Sequence, residues 1–148
     1  PARRCCVGWR APQSRHHRRR LCLELGLWRH WPVLGHGEDL SDQLLPKKVE
    51  ALAGQRVAAV AAGECHSLAL TADGSVWSWG SGGSCRLGHG DEQGQSLPKK
   101  VEAFAAQRVV AVSAGERHSL AITADGAVWS WGYGASGQLG HGDQQKQL

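Results

Sequence analysis

The hydrophobic and polar positions of this chain alternate in short runs. In His66-Ser67-Leu68-Ala69-Leu70-Thr71, His66, Leu68 and Leu70 share one side while Ser67, Ala69 and Thr71 share the other. That period of two predicts a strand. Val76-Trp77-Ser78-Trp79 alternates as well, with both Trp on one side. Between the runs lies Ala72-Asp73-Gly74-Ser75, whose Asp-Gly step predicts a tight hairpin through a type I′ turn, because that turn needs positive φ at both central positions. Val57 to Ala62 is a third apolar run, closed by Gly63, and Lys47 to Ala51 reads as a fourth with Pro46 at its start.

These runs occur twice. Gln55 to Asp91 and Gln107 to Asp143 are near-copies at an offset of 52, which pairs His66 with His118, Trp77 with Trp129, Trp79 with Trp131, Gly80 with Gly132 and Gly88 with Gly140. A fixed period of this length marks stacked copies of one supersecondary unit. Each unit runs from Pro-Lys-Lys-Val-Glu-Ala to Leu-Gly-His-Gly-Asp, over about 46–91 and 98–143. Four short antiparallel strands per unit, punctuated by Gly, describe a β-propeller blade. The expected fold is therefore all-β: a partial propeller of two four-stranded blades. The Trp pairs are expected to form the bulky face of each blade, with small residues opposite, and their indole N–H groups require partners.

A third Leu-Gly-His-Gly stands at Leu34 to Gly37, so a unit is expected before it, yet residues 1–33 show no copy. One reading is that this irregular segment is a repeat translated one nucleotide out of register, leaving 34–148 as the propeller segment. Trp has a single codon, TGG, so Trp9, Trp28 and Trp31 each become Gly in the shifted frame. Moved on by 106 residues, they fall on Gly115, Gly134 and Gly137. His16 to Arg20 can become Ile-Thr-Ala-Asp-Gly, as at Ile122 to Gly126. The alternative is a natural Arg-rich extension, and the coding DNA discriminates between the two.

Charge and cysteine change meaning under this division. The net charge of +4 suggests a basic chain, but residues 1–32 hold eight Arg against Glu24, while the rest carries nine Lys and Arg against twelve Asp and Glu. The repeats are mildly acidic, so no direct nucleic-acid binding is expected and the Arg run is not taken as a nuclear localisation signal. Only Cys65 and Cys85 lie within the repeats, aligned with Arg117 and Gly137. Neither belongs to the repeat pattern, which predicts a reducing, cytoplasmic or nuclear location. No apolar run is long enough to span a bilayer and no signal peptide is visible, so no membrane association is expected.

Candidate chemistry is weak. His66 and His118, one per blade and pointing alike, cannot converge on a metal. His36, His89 and His141 recur once per Leu-Gly-His-Gly loop and fit turn geometry. Gly80-Ser81-Gly82-Gly83 opens no predicted helix and lacks Gly-Lys-Ser/Thr, against a phosphate cradle. Ser67 and Ser119 adjoin a His, but neighbouring strand residues point to opposite faces. Lys47, Lys48, Lys99 and Lys100 read as edge-strand charges. No catalytic residue, metal or cofactor is expected, and His66, Trp77, Trp79, Gly80, Gly88, His118, Trp129, Trp131, Gly132 and Gly140 are read as structural repeat positions.

The strings Ala-Gly-Glu-x-His-Ser-Leu-Ala, Thr-Ala-Asp-Gly, Val-Trp-Ser-Trp-Gly and Gly-Gln-Leu-Gly-His-Gly resemble the regulator-of-chromosome-condensation repeat family over Pro46 to Asp143. The resemblance implies seven-bladed β-propellers. About three units against seven would leave an open blade face at each end, and Cys85 where the other copy has Gly137 implies a strained loop. The function implied is a non-catalytic protein-interaction scaffold with an unknown protein partner. Two alternatives are guanine-nucleotide exchange on a small GTPase, which would need longer loops, and the propeller portion of a HERC-type ubiquitin ligase.

Overall fold

The computed structural model describes residues 33–38 and 43–142. The irregular segment 1–32 with its out-of-frame reading, and Asp143 at the end of the second unit, lie outside the described residues. Seven strands form two antiparallel sheets, and no α-helix occurs among the described residues. The first sheet has the order β1 (Val57–Ala62), β2 (His66–Thr71), β3 (Val76–Gly80), β4 (Gln95–Lys100), and the second β5 (Val109–Ala114), β6 (His118–Thr123), β7 (Val128–Gly132). The all-β, blade-like architecture expected from the alternation is the one observed.

One strand belongs elsewhere than its repeat suggests. Lys47 to Ala51 forms no strand; Glu50–Leu52 is instead a single 3₁₀ turn. In the next copy the Pro-Lys-Lys stretch is the end of β4, and it pairs backwards onto the preceding unit, Trp77 opposite Lys100 and Ser78 opposite Lys99. The physical reason is the 3₁₀ turn Glu102–Phe104, which reverses the chain just after β4 and sends it into β5 of the next sheet. The second sheet therefore has three strands among the described residues, not four. Pro98 lies within β4 rather than at its start, and this is tolerable because β4 is an edge and the register shifts opposite it, between Ser78 and Gly80.

The Asp-Gly hairpin forms, with a different turn. The Gly74 N–H donates to the Thr71 carbonyl (2.9 Å) and the Thr71 N–H to the Ser75 carbonyl (2.9 Å), and only Gly74 has positive φ (+89°). This is a three-residue loop in which a type I turn is followed by a left-handed Gly, not a type I′ turn. Asp73 decides between them: its Oδ1 accepts the Thr71 hydroxyl and the Ser75 N–H, contacts a type I turn permits. Those bonds pull the Asp73 carboxyl down to about 2.

Each face mixes large and small side chains, contrary to the expectation of one bulky and one small face. Residues opposite one another in an antiparallel pair share a face, and the register sets Ala69 against Trp77 and Ser67 against Trp79, while Leu68 meets Ser78 and Leu70 meets Val76. The Leu face of the first sheet packs on the Trp face of the second. Its core comprises Leu68, Leu70, Val76, Val101, Phe104, Val109, Ala121 and Trp131. Phe104 is delivered by the 3₁₀ turn into this seam, 5.6 Å from the Trp131 ring and edge-on to Trp129 at 5.9 Å. Full burial of each Leu or Val here stabilises the blade contact by about 1.5–3 kcal/mol.

Candidate functional site

Within each blade, the Leu-Gly-His-Gly loop is tied to the Trp-Ser-Trp strand by its serine. Ser78 Oγ donates its one proton to the Leu87 carbonyl (2.8 Å), so the His89 Nε2–H donates to Ser78 Oγ (3.0 Å). Ser130, Leu139 and His141 repeat this at 2.7 and 2.8 Å. Burial, and then the nearby Lys99 charge, hold the His89 ring below its ordinary pKa. His36 sits half-buried in the loop Leu34–Gly37. Among the described residues no three His, Cys, Asp or Glu side chains are grouped to hold a metal ion.

Between the blades, a single backbone carbonyl gathers the contacts. The Arg86 carbonyl accepts from Ser119 Oγ (2.9 Å) and from the Trp131 indole N–H (2.9 Å). Because the Ser119 proton is committed there, the His66 Nε2–H donates to Ser119 Oγ at 2.9 Å. The same arrangement stands at the front of the first sheet, where the Val33 carbonyl accepts from Ser67 Oγ (3.1 Å) and Trp79 Nε1 (2.8 Å). Close approach requires glycine beside each indole: a Cβ on Gly88 would stand 2.9 Å from Trp131 Nε1, and one on Gly35 3.0 Å from Trp79 Nε1.

The Ser–His juxtaposition therefore exists, but across the blade boundary rather than between sequence neighbours. It cannot act as a nucleophile and its base. His66 and Ser119 are both 0% exposed, and the imidazole presents a donor, not a lone pair, to the hydroxyl. His66 Nδ1 has no hydrogen-bond partner, and burial, followed by the Arg86 and His118 charges, lowers the ring pKa to about 4. His66 is thus a neutral structural donor. The His-Ser dipeptide repeated at an offset of 52 was the sequence signal for this pair, which lies 53 residues apart; the Arg86 carbonyl left none.

The glycines among the remaining repeat positions take positive φ. Gly80 and Gly132 adopt φ of +107° and +105°, and a Cβ would meet the Cys65 and Arg117 carbonyls at 2.6 and 2.7 Å. Gly140 repeats the positive φ of Gly88, with open space around it. Trp77 is half-buried with its indole N–H unpartnered, and Trp129 is 43% exposed. Gly80 to Gly83 leads into a 3₁₀ turn, Gly83–Cys85, not an α-helix, and a Cβ on Gly82 would collide with the Gln93 carbonyl. Within that turn Ser84 and Cys85 have φ of +60° and +59°.

Among the described residues, a charged cluster stands apart from these contacts. The loops after β1 and β5 carry Glu64 and Glu116. Burial, and then the Glu116 charge, push the Glu64 carboxyl up, while Arg117 and Arg86 pull the other way. Arg117 lies 3.7 Å from Glu116 and over the Tyr133 ring at 6.0 Å. A cavity of about 410 Å³ opens here, lined by Glu116, Arg117, His118, Tyr133, Ser136 and Gln138.

Comparison with known proteins agrees with this arrangement. Residues 31–70 and 73–122 match the Regulator of chromosome condensation (RCC1) repeat, and a second description of the same repeat matches 57–85 and 109–138. The chain is 40% identical to the ultraviolet-B receptor UVR8 of Arabidopsis thaliana, covering 82% of this chain and 27% of that protein. It is 46% identical to human E3 ubiquitin-protein ligase HERC2 over 74% of this chain and 2% of that protein. Among solved structures, yeast RCC1 (Prp20) bound to Kap60 superposes with a TM-score of 0.64 at 25% identity, covering 80% of this chain and 30% of that one. A structure of Prp20p from Saccharomyces cerevisiae, reported with its binding to Gsp1p and histones, also has a TM-score of 0.64, at 26% identity. The chain thus spans less than a third of each of these relatives. Repeat spacing, blade geometry and these matches agree that the chain belongs to the regulator of chromosome condensation (RCC1) repeat family.

Proposed function

We propose that this chain is a non-catalytic protein-interaction segment of an RCC1-type propeller, acting in a reducing intracellular compartment. The observation that carries this reading is where the reactive side chains go. His66, Ser119, Ser78 and His89 spend their hydrogen bonds on blade-to-blade and loop-to-strand ties. We read the ten repeat positions, His66, Trp77, Trp79, Gly80, Gly88, His118, Trp129, Trp131, Gly132 and Gly140, as positions of the scaffold, supported by the bonds of His66, Trp79 and Trp131 and the backbone angles of the glycines. What remains for a partner are the loop groups Glu64, Glu116, Arg117 and Tyr133, a mixed-charge surface suited to protein recognition.

A small GTPase is the partner class we favour, because a structural relative is described with its binding to Gsp1p. Titrating the chain with such a GTPase, with and without Glu116→Ala and Arg117→Ala, tests the reading. Micromolar binding weakened by the loop variants, with no change in nucleotide release, supports a scaffold. Acceleration of nucleotide release would instead establish the exchange activity. We further propose that residues 1–32 correspond to an out-of-frame unit, since Val33 receives on the first sheet the two bonds that Arg86 receives on the second. Codons that do not spell the repeat in the shifted frame would overturn that.

A further inference from the structure

The largest differences between the two near-identical copies gather at one end of the blades. Cys65, Ser81, Cys85 and Arg86 stand where the second copy has Arg117, Tyr133, Gly137 and Gln138. Each of these lies just before β2 or β6, or in the loop that follows β3 or β7. At the opposite, hairpin end Thr-Ala-Asp-Gly is unchanged. Residues that build a blade recur in both copies, so the end that differs is the end free to specialise.

Arg86 reaches across the seam between the two sheets. Its side chain is buried, at 8% exposure, with Nε donating to the Gly83 carbonyl of its own loop (2.7 Å) and Nη1 to the Glu116 carbonyl of the next blade (3.4 Å). Its charge also acts on Glu64: burial, then the Glu116 charge, push that carboxyl up, against Arg117 and Arg86. Glu64 and Glu116 are themselves exposed. Both copies carry Ala-Gly-Glu, so these carboxylates alone would mark every such seam alike. Arg86 removes that equivalence, because Val33 stands in its place against the first sheet and Gln138 in the second copy, and neither is charged.

We infer, on the protein-interaction reading proposed above, that Arg86 determines the specificity of the partner surface by setting the Glu116 loop of one blade against Glu64 of the other. It is a positioning residue: buried itself, it reaches a partner through the two exposed carboxylates. A guanidinium suits the task, since its planar fork donates in two directions at once and stays charged.

Two variants of the 148-residue chain test this. Arg86→Gln keeps the backbone carbonyl that holds Ser119 and Trp131, and Arg86→Lys keeps the charge without the fork. Amide hydrogen exchange and carboxyl NMR titration are first read without a partner. Arg86→Gln is expected to speed exchange of the Gly115 amide, which bonds the His118 carbonyl across this loop, several-fold and to shift the Glu64 titration upward. Arg86→Lys is expected to speed the exchange as much while leaving the titration near that of the parent. Either readout unchanged in Arg86→Gln overturns the inference, as does an Arg86→Lys loop as protected as the parent. Titration with a small GTPase then reads the consequence: Arg86→Gln weakens binding several-fold, while Ser75→Ala, at the hairpin end, leaves it unchanged. Binding indifferent to Arg86→Gln overturns the inference. A parent that binds no GTPase refutes that partner class instead, and exchange and titration alone then decide the role of Arg86.

Discussion

His66 of the first sheet and Ser119 of the second share a buried hydrogen bond of 2.9 Å, and the direction of that bond places a hydrogen on Nε2 of the imidazole. The hydroxyl proton already belongs to the Arg86 carbonyl, so Nε2 carries hydrogen, while burial keeps Nδ1, which has no partner, unprotonated at neutral pH.

Stability should consequently depend on pH below neutrality. His66 takes a proton near pH 4 when folded and near its ordinary 6.5 when unfolded. Between those values the unfolded chain binds more protons, so stability falls as pH drops from 6.5 towards 4, by a total on the order of 3 kcal/mol, and this contribution is flat below. The depressed Asp73 carboxyl acts in a lower window, as pH falls from 3.8 towards 2. Thermal melts of the parent should slope between pH 6.5 and 4, and His66→Gln should remove most of that slope.

Ser119→Ala strands the His66 Nε2–H and takes one donor from the Arg86 carbonyl, at a cost of about 1–3 kcal/mol for the buried group left unpaired. Ser67→Ala, in the equivalent place against the less buried Val33 carbonyl, should cost less, about 0.5–1.5 kcal/mol. Urea midpoints compare the two directly; equal losses would show that the His66 contact adds nothing.

Gly88 and Gly90 separate steric from conformational cost. Both have positive φ, +75° and +80°, but only at Gly88 would a Cβ meet a neighbour, the Trp131 indole at 2.9 Å. Ala at Gly90 should lose about 1–2 kcal/mol from the left-handed backbone alone. Ala at Gly88 should lose more, and quench or shift Trp131 fluorescence as the indole moves.

Cys85 tests the strain of the Gly83–Cys85 turn. Its φ of +59° favours Gly, as stands at the aligned Gly137 with φ of +71°. Its side chain is nonetheless 0% exposed, so Cys85→Gly gains backbone freedom and loses burial. Cys85→Ala loses part of the burial and keeps the strain. The Gly variant should equal or exceed the Ala variant in stability, by up to about 1–2 kcal/mol, as read from denaturant midpoints.

Much of the blade was legible because strand and hairpin signals are local. The alternation in His66–Thr71 and Val76–Gly80 marks their strands, and Ala72 to Ser75 marks the reversal between them. The turn type was misread because Asp73 bonds Thr71 and Ser75, and a dipeptide rule ignores those neighbours. The candidate site was less visible. Neither the Arg86 carbonyl nor the Glu64, Arg117 and Tyr133 cluster carries a motif, since a carbonyl is common to every residue and the cluster is assembled from loops of two sheets.

Sequence alone determined the unit, its period, its strands within each hairpin and its membership of a repeated architecture, because each depends on residues within a few positions of one another. Tertiary structure decided which sheet owns the Pro-Lys-Lys strand: Lys99 and Lys100 pair with Ser78 and Trp77 because the 3₁₀ turn at Glu102–Phe104 carries the chain away into the next blade. It also decided what His66 does. The ring reads the same in both copies, yet His66 is buried on Ser119 while His118 lines an open cavity, because among the described residues the Leu face of the first sheet is packed against the second.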